Sequence, residues 1–359
     1  MTSTRRLAAA CFLATTLLGS AGATAATQGN WYNAYSLVSD DATAVKAPLA
    51  DASLVNGWGL SAGPTTPWWT SNNKTNTSTL YSGSGVKSAL TVSVPGGPTG
   101  TVFNGNSAAF TVSANGKSGS ARFLFATKAG TILGWSPTVN ANTAVTAVDN
   151  SAKGALYDGL ATLNDRLYAT DFHNARVDVF DANFAPVTLA NAFVDKKIPK
   201  GWAPFGIQAL GGNIFVTYAK QDPSKRLDVA GGGLGYVDQY DPNGVLLARV
   251  AKRGLPKAPL NSPWGLAMAP ATFGGFGGDL LVGNFGNGKI SAYQPPPIPP
   301  GKWIYKGQLR VATGEIIKIP GLWAIAFGNG AAAGSTNNLY FLSGPSGETH
   351  GLFGVITVG

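Results

Sequence analysis

Histidine is scarce in this chain: His173 and His350 are the only two, and His350 follows Glu348 by two positions. On an extended segment, side chains two apart share a face, so Glu348-x-His350 sets a carboxylate beside an imidazole. Such a pair can hold a divalent cation, with Ca or Mg the expected ions, or pass a proton. A neutral imidazole ligates a cation and a protonated one does not, so a site of this kind weakens as pH falls through roughly 6.5. A histidine bonded to a loop backbone beside an unrelated glutamate is the plainer reading of the same residues. The single cysteine, Cys11, leaves no disulfide and, in the mature chain, no thiolate metal site or cysteine nucleophile. No nucleotide-binding loop, zinc signature or nucleophile elbow is present.

The elements that must position these residues emerge from a repeat. Trp58-Gly59-Leu60, Phe205-Gly206-Ile207, Trp264-Gly265-Leu266 and Trp323-Ala324-Ile325 share an aromatic, a tiny residue and an aliphatic one. Phe110-Thr111-Val112 and Asp158-Gly159-Leu160 read as two degenerate copies. The six centres are separated by 52, 48, 47, 59 and 59 positions, intervals the size of a propeller blade. A second apolar stretch follows each copy, from Trp68-Trp69-Thr70 to Leu339-Tyr340-Phe341. A third stretch then alternates apolar with polar, as in Val177-Asp178-Val179-Phe180-Asp181, the pattern of a half-buried strand. Four antiparallel strands repeated six times specify an all-β, six-bladed β-propeller.

The last unit stops after its third strand, Leu352 to Val358, while Tyr35-Ser36-Leu37-Val38 precedes the first unit without a partner. The N-terminal segment is therefore expected to complete the last blade and to hide two strand edges. Upstream of it, Arg5 and Arg6 and the apolar run Leu7 to Leu18 form a leader too short to span a membrane. Cleavage is expected near Thr24 or Ala26, giving a signal peptide over 1–25, a single domain over 26–359, and a destination in the periplasm or medium. The mature balance of 24 basic against 17 acidic residues is spread out, apart from Lys196, Lys197 and Lys200, and Lys252, Arg253 and Lys257. A polyanion-binding face and ordinary solvated loops are both open readings of those clusters. Nucleic-acid binding lacks a basic stripe with interleaved aromatics. Pro295 to Pro300 reads as a stiff loop ahead of an outer strand, or as a polyproline ligand for a partner.

Asn56-Gly57-Trp58-Gly59-Leu60, Asp171-Phe172-His173-Asn174, Gly321 to Gly330, and Glu348-Thr349-His350-Gly351-Leu352-Phe353-Gly354 resemble a family of secreted bacterial propellers with NHL-type and YncE-like repeats. The resemblance runs from about Tyr35 to Gly359 and implies the fold, while carrying no activity. Gly57 departs from the proline usual in that family at a turn. The Glu348-x-His350 spacing also resembles that of virginiamycin B lyase, a propeller enzyme that uses a metal ion.

On such a ring, loops entering the inner strand and loops joining the second and third strands open on one face around the channel. Asn72, Thr127, Asp171, Tyr218, Asn284 and Ser343 follow the six second strands and are all polar. They are either strand-terminating turn residues or the rim of a pocket for a small molecule, a glycan or a protein. His173 and His350 fall in opposite blades, so both are expected at the channel mouth with Glu348. Asp158 replaces an aromatic on the inner strand, where a buried carboxylate needs a partner or a raised pKa and could hold a metal ion. A one-residue slip, with Tyr157 as the aromatic and Asp158 in solvent, is the other reading. Two functions stay open: a binding or scaffold propeller, and a metal-assisted lyase or hydrolase.

Overall fold

A computed structural model describes Met1, 30–252, 254, 259–297 and 301–359. The expected leader with Cys11 and its cleavage site lies outside the described residues, as do Arg253, Lys257 and 298–300. The regular elements of the described chain are almost all strands, and its successive sheets are the six blades of a propeller. Blade 1 runs Gly57–Ser61, Trp68–Asn72, Thr77–Tyr81 and Lys87–Ser93 from centre to rim. Blade 2 runs Pro98–Phe103, Phe123–Thr127, Thr131–Trp135 and Val145–Asp149. Blade 4 (Trp202–Leu210 to Leu246–Ala251) and blade 5 (Pro263–Met268 to Ile304–Gln308) repeat the four-stranded pattern.

Two blades depart from it. Blade 3 has three strands, Tyr157–Leu163, Arg166–Asp171 and Arg176–Phe180. A fourth is replaced by an isolated bridge between Phe180 and Pro186, because proline cannot donate to a ladder. Blade 6 joins Leu322–Phe327, Leu339–Ser343 and Leu352–Val358 to Tyr32–Ser39, with Leu49–Ala50 beyond it. The N-terminal strand runs antiparallel to the last one, with Tyr32 opposite Val358, Tyr35 opposite Val355 and Ser39 opposite Leu352.

The inner strand of blade 2 corrects the sequence reading. It is Pro98–Phe103, while Phe110-Thr111-Val112 belongs to an extra hairpin of Thr111–Ala114 with Lys117–Ser120. Phe110 mimicked an inner-strand aromatic because it too is buried, at 1% exposure, but in the apolar layer between blades 2 and 3 against Phe184. The true copy, Thr99-Gly100-Thr101, has no aromatic.

With that copy in register, the tiny residue at the centre of each repeat acquires a cause. Inner strands touch in sequence around the ring, and the strand Leu322–Phe327 returns to Gly57–Ser61. A Cβ on Gly59 would stand 2.3 Å from the Thr99 carbonyl oxygen, one on Gly206 2.1 Å from that of Trp264, and one on Gly265 2.5 Å from that of Trp323. At these three contacts backbone packs directly on backbone and only glycine permits the approach, whereas blade 6 carries Ala324 at the equivalent position.

Aromatics one position earlier fill the centre. Trp58 stacks on Trp323 at 3.5 Å between ring centroids, while Trp264 and Phe205 meet Trp323 edge-on at 5.9 and 5.7 Å. These rings form a buried plug that separates the two mouths of the channel. No helix among the described residues is long and apolar enough to cross a membrane.

Candidate functional site

Above the tryptophan plug lies a cavity of about 100 Å³, lined by Asn56, Trp58, Asn73, Lys74, Lys128, Phe205, Leu227, Asp228, Phe285, Trp323 and Glu348. Each polar group reaches it from a turn whose local chemistry is visible. Lys128 follows the second strand of blade 2, and its amide donates to the Gly97 carbonyl at 2.9 Å. Asp228 stands midway along the long blade 4 loop, just past a turn that Asp222 holds by accepting the Arg226 and Leu227 amides at 2.8 and 3.0 Å. Glu348 closes the turn Pro345–Glu348, with Ser346, Gly347 and Glu348 all left-handed at φ 55, 66 and 66. Such backbone is costly for Ser and Glu and persists only where neighbours enforce it. Asn56 is the brace: Trp323 Nε1 donates to its Oδ1 at 3.1 Å, and its Nδ2 donates to Glu348 Oε1 at 3.0 Å.

Asp158 lies beneath this floor. Gly159 meets the Phe205 carbonyl as Gly59 meets that of Thr99, which puts Asp158 where blade 1 has Trp58. The solvent-facing slip is thereby excluded: Asp158 is 1% exposed, and Tyr157 is buried with its hydroxyl donating to Asp178 at 2.8 Å. Lys128 Nζ donates to Asp158 Oδ1 at 3.0 Å and sits 5.0 Å over the Trp58 ring. Burial pushes the Asp158 carboxyl up to about 6; Lys128 opposes that shift, and the charges of Asp228 and Glu348 add to it. Burial likewise raises Asp228, with Glu348 contributing. Two atoms here, Asp158 Oδ2 and the Trp58 indole nitrogen, are buried without a hydrogen-bond partner in the protein, while the Ser262 hydroxyl beside Asp228 opposes the rise that burial causes in its carboxyl.

Of the site residues expected from sequence, only Glu348 lines this cavity, and Asp158 joins it through Lys128. His350 turns the other way: its Nδ1 stands 2.9 Å from Asp40 Oδ2, on the segment just after the N-terminal strand. His173 packs against Gly154, and its Nδ1 is buried without a partner. Convergence of the two imidazoles with Glu348 in one cavity does not occur, because each loop folds back on its own blade junction.

Asn72, Asp171 and Asn284 are fully buried, as are Thr127 and Ser343. Asn72 Nδ2 donates to Thr79 at 2.9 Å, Asp171 accepts the Leu156 and Asn174 amides, and Asn284 accepts that of Asn261 at 2.8 Å. These residues knit the turns of their own blades. The mouth is reached one position later, by Asn73, Lys128 and Phe285, since successive side chains on a strand point to opposite faces. That shift by one was the signal available for Lys128; Asn56 and Asp228 had no periodic signal.

A metal centre does not fit these donors. Among the described residues, no three His, Cys, Asp or Glu side chains are grouped to hold a metal ion. His350, the imidazole that such a centre would need, is held by Asp40.

No family model matches the chain. It is 30% identical over 295 residues to uncharacterized protein L690 of Acanthamoeba polyphaga mimivirus, covering 79% of this chain and 75% of that protein. The chain belongs to the family of that viral protein. Uncharacterized protein R640 of the same virus is 33% identical over 232 residues, 64% of this chain, which spans only 42% of that relative's length.

Among solved structures, a streptogramin B lyase superposes with a TM-score of 0.54 at 11% identity, covering 92% of this chain and 98% of that one. A structural genomics protein of unknown function from Bacteroides thetaiotaomicron gives 0.55 at 13% identity, over 90% of this chain and 76% of that one. At these identities the likeness is one of fold.

Proposed function

We propose that the protein is an exported bacterial propeller that binds a small ligand at the channel mouth formed by Lys128, Asp228, Glu348 and Asn56. The observation that carries this reading is the pair of orphaned polar atoms at a walled cavity, since a buried polar group without a partner is expensive unless a ligand or water completes it. Strained left-handed backbone at Glu348, held by the Asn56 brace, supports the same place. Export rests on the basic, then apolar, N-terminus ending in Ala21-Gly22-Ala23. A metal-assisted lyase or hydrolase at Glu348-x-His350 would require the imidazole to leave Asp40 and enter the cavity, and nothing holds it there.

The test is a thermal-shift panel of small cations, anions and neutral polar molecules against the purified domain, with Glu348→Gln as the site control. At least one compound should stabilise the native protein and lose that effect in the variant. If every shift survives Glu348→Gln, the mouth is not the site. For export, expression of the full chain in a bacterium should place it in the periplasm or medium with a new N-terminus near Thr24 or Ala26; full-length protein retained in the cytoplasm overturns that part.

A further inference from the structure

Granting that mouth as the binding site, we infer that its ligand is a small guanidinium-bearing cation, which seats on Asp158 in place of the Lys128 ammonium. The site already holds a cation of its own. Lys128 Nζ is 3.0 Å from Asp158 Oδ1, 5.0 Å over the Trp58 ring and 3.4 Å from the Arg226 carbonyl oxygen. A carboxylate below and an aromatic face beside it are the recognition set for an organic cation.

Lysine satisfies this set incompletely. An ammonium is a point charge, and here it serves one carboxylate oxygen, leaving Asp158 Oδ2 buried with no partner in a side chain 1% exposed. A planar guanidinium offers two parallel N–H groups in a fixed fork, which would complete both oxygens while its face lies against an aromatic ring. The charge balance agrees, because Asp228 and Glu348 line the mouth with Lys128 and Lys74, and Asp158 lies beneath them, paired with Lys128. The size agrees as well: about 100 Å³ is room for roughly three waters at ~30 Å³ each, close to the four heavy atoms of a guanidinium. Lys128 is the movable member. It stands on a loop, its side chain is 26% exposed, and its long stem lets the ammonium return to water when displaced. A tethered competitor lowers the apparent affinity of any incoming cation, so removing it should tighten binding.

Isothermal titration at pH 8, above the value of about 6 to which burial pushes Asp158, tests this with methylguanidinium, methylammonium and the neutral planar N-methylurea. Methylguanidinium should bind at least tenfold more tightly than methylammonium, and N-methylurea should give no heat. Lys128→Met should raise the methylguanidinium affinity at least tenfold; Asp158→Asn should abolish it in a protein whose circular dichroism is native. The inference is overturned if N-methylurea binds as well as methylguanidinium, or if Lys128→Met weakens binding. Because Lys128 is a loop residue, its variant decides the matter even if Asp158→Asn fails to fold. Failure here is separable from failure of the site itself: a neutral or anionic compound whose stabilising shift is lost in Glu348→Gln would remove the cation and keep the mouth.

Discussion

Replacing Asp158 by asparagine should stabilise the fold at neutral pH, although it deletes an ion pair. The carboxyl is pushed from its ordinary value of 3.8 up to about 6, chiefly by burial, with Lys128 recovering only part of that cost. A pKa raised by folding means that the protonated form is the better tolerated one in the native state. The associated stability is fully present below about 3.8 and is lost as pH rises through about 6. At about 1.4 kcal/mol per pKa unit, the displacement amounts to about 3 kcal/mol at pH 8. Asparagine imitates the protonated carboxyl in shape and removes the titration. Urea denaturation of both proteins from pH 3 to 8 should show a difference near zero at the acid end, growing to about 3 kcal/mol in favour of Asp158→Asn. Taking the difference cancels the titration of other groups. A variant less stable than the parent at pH 8, or a difference independent of pH, would refute the argument and make Lys128–Asp158 a net stabilising pair.

The ring itself predicts that Gly206→Ala costs about 3 kcal/mol or more, since the new Cβ would lie 2.1 Å from backbone oxygen of Trp264; Gly232→Ala, with nothing within 4 Å, should be neutral in the same melting experiment. Removing 26–40 deletes the outer strand paired with Leu352–Val358, and the truncated protein should melt well below the full domain; equal melting would mean the ring does not depend on that clasp. His350→Ala loses one partly exposed bond to Asp40, so about 1 kcal/mol of stability should go while methylguanidinium binding is unchanged. Dialysis against a chelator should leave the melting temperature in place, and a drop of several degrees would reinstate a metal centre.

The fold was legible because its strongest constraints are local in sequence. Two inner strands meet at each of Gly59, Gly206 and Gly265, so a glycine recurs where backbone touches backbone, beside an aromatic in these three blades, and the repeat can be read without a structure. Blade 2 broke the reading for a physical reason. Its inner strand keeps the glycine, Gly100, but has Thr99 where the plug would need an aromatic, while a buried phenylalanine waits ten residues later in a hairpin that has its own apolar layer to fill. Hydrophobicity alone does not say which layer a side chain enters.

The site was legible only where composition was abnormal. Asp158 could be singled out because an acid stood in a column of aromatics, and Glu348 because it neighboured a rare histidine. The polar residues after the second strands drew attention by type, yet their work is to satisfy amides that a sharp turn orphans, as Asp171 does for Leu156 and Asn174. The next residue along, with the opposite orientation, is the one that looks into the channel. Lys128 therefore gains its meaning from two distances that no sequence pattern carries, one to Asp158 and one to the Trp58 ring. A carboxylate that costs stability, kept beneath a lysine that only half completes it, is the kind of local inconsistency that a fold retains at a place used for something other than folding.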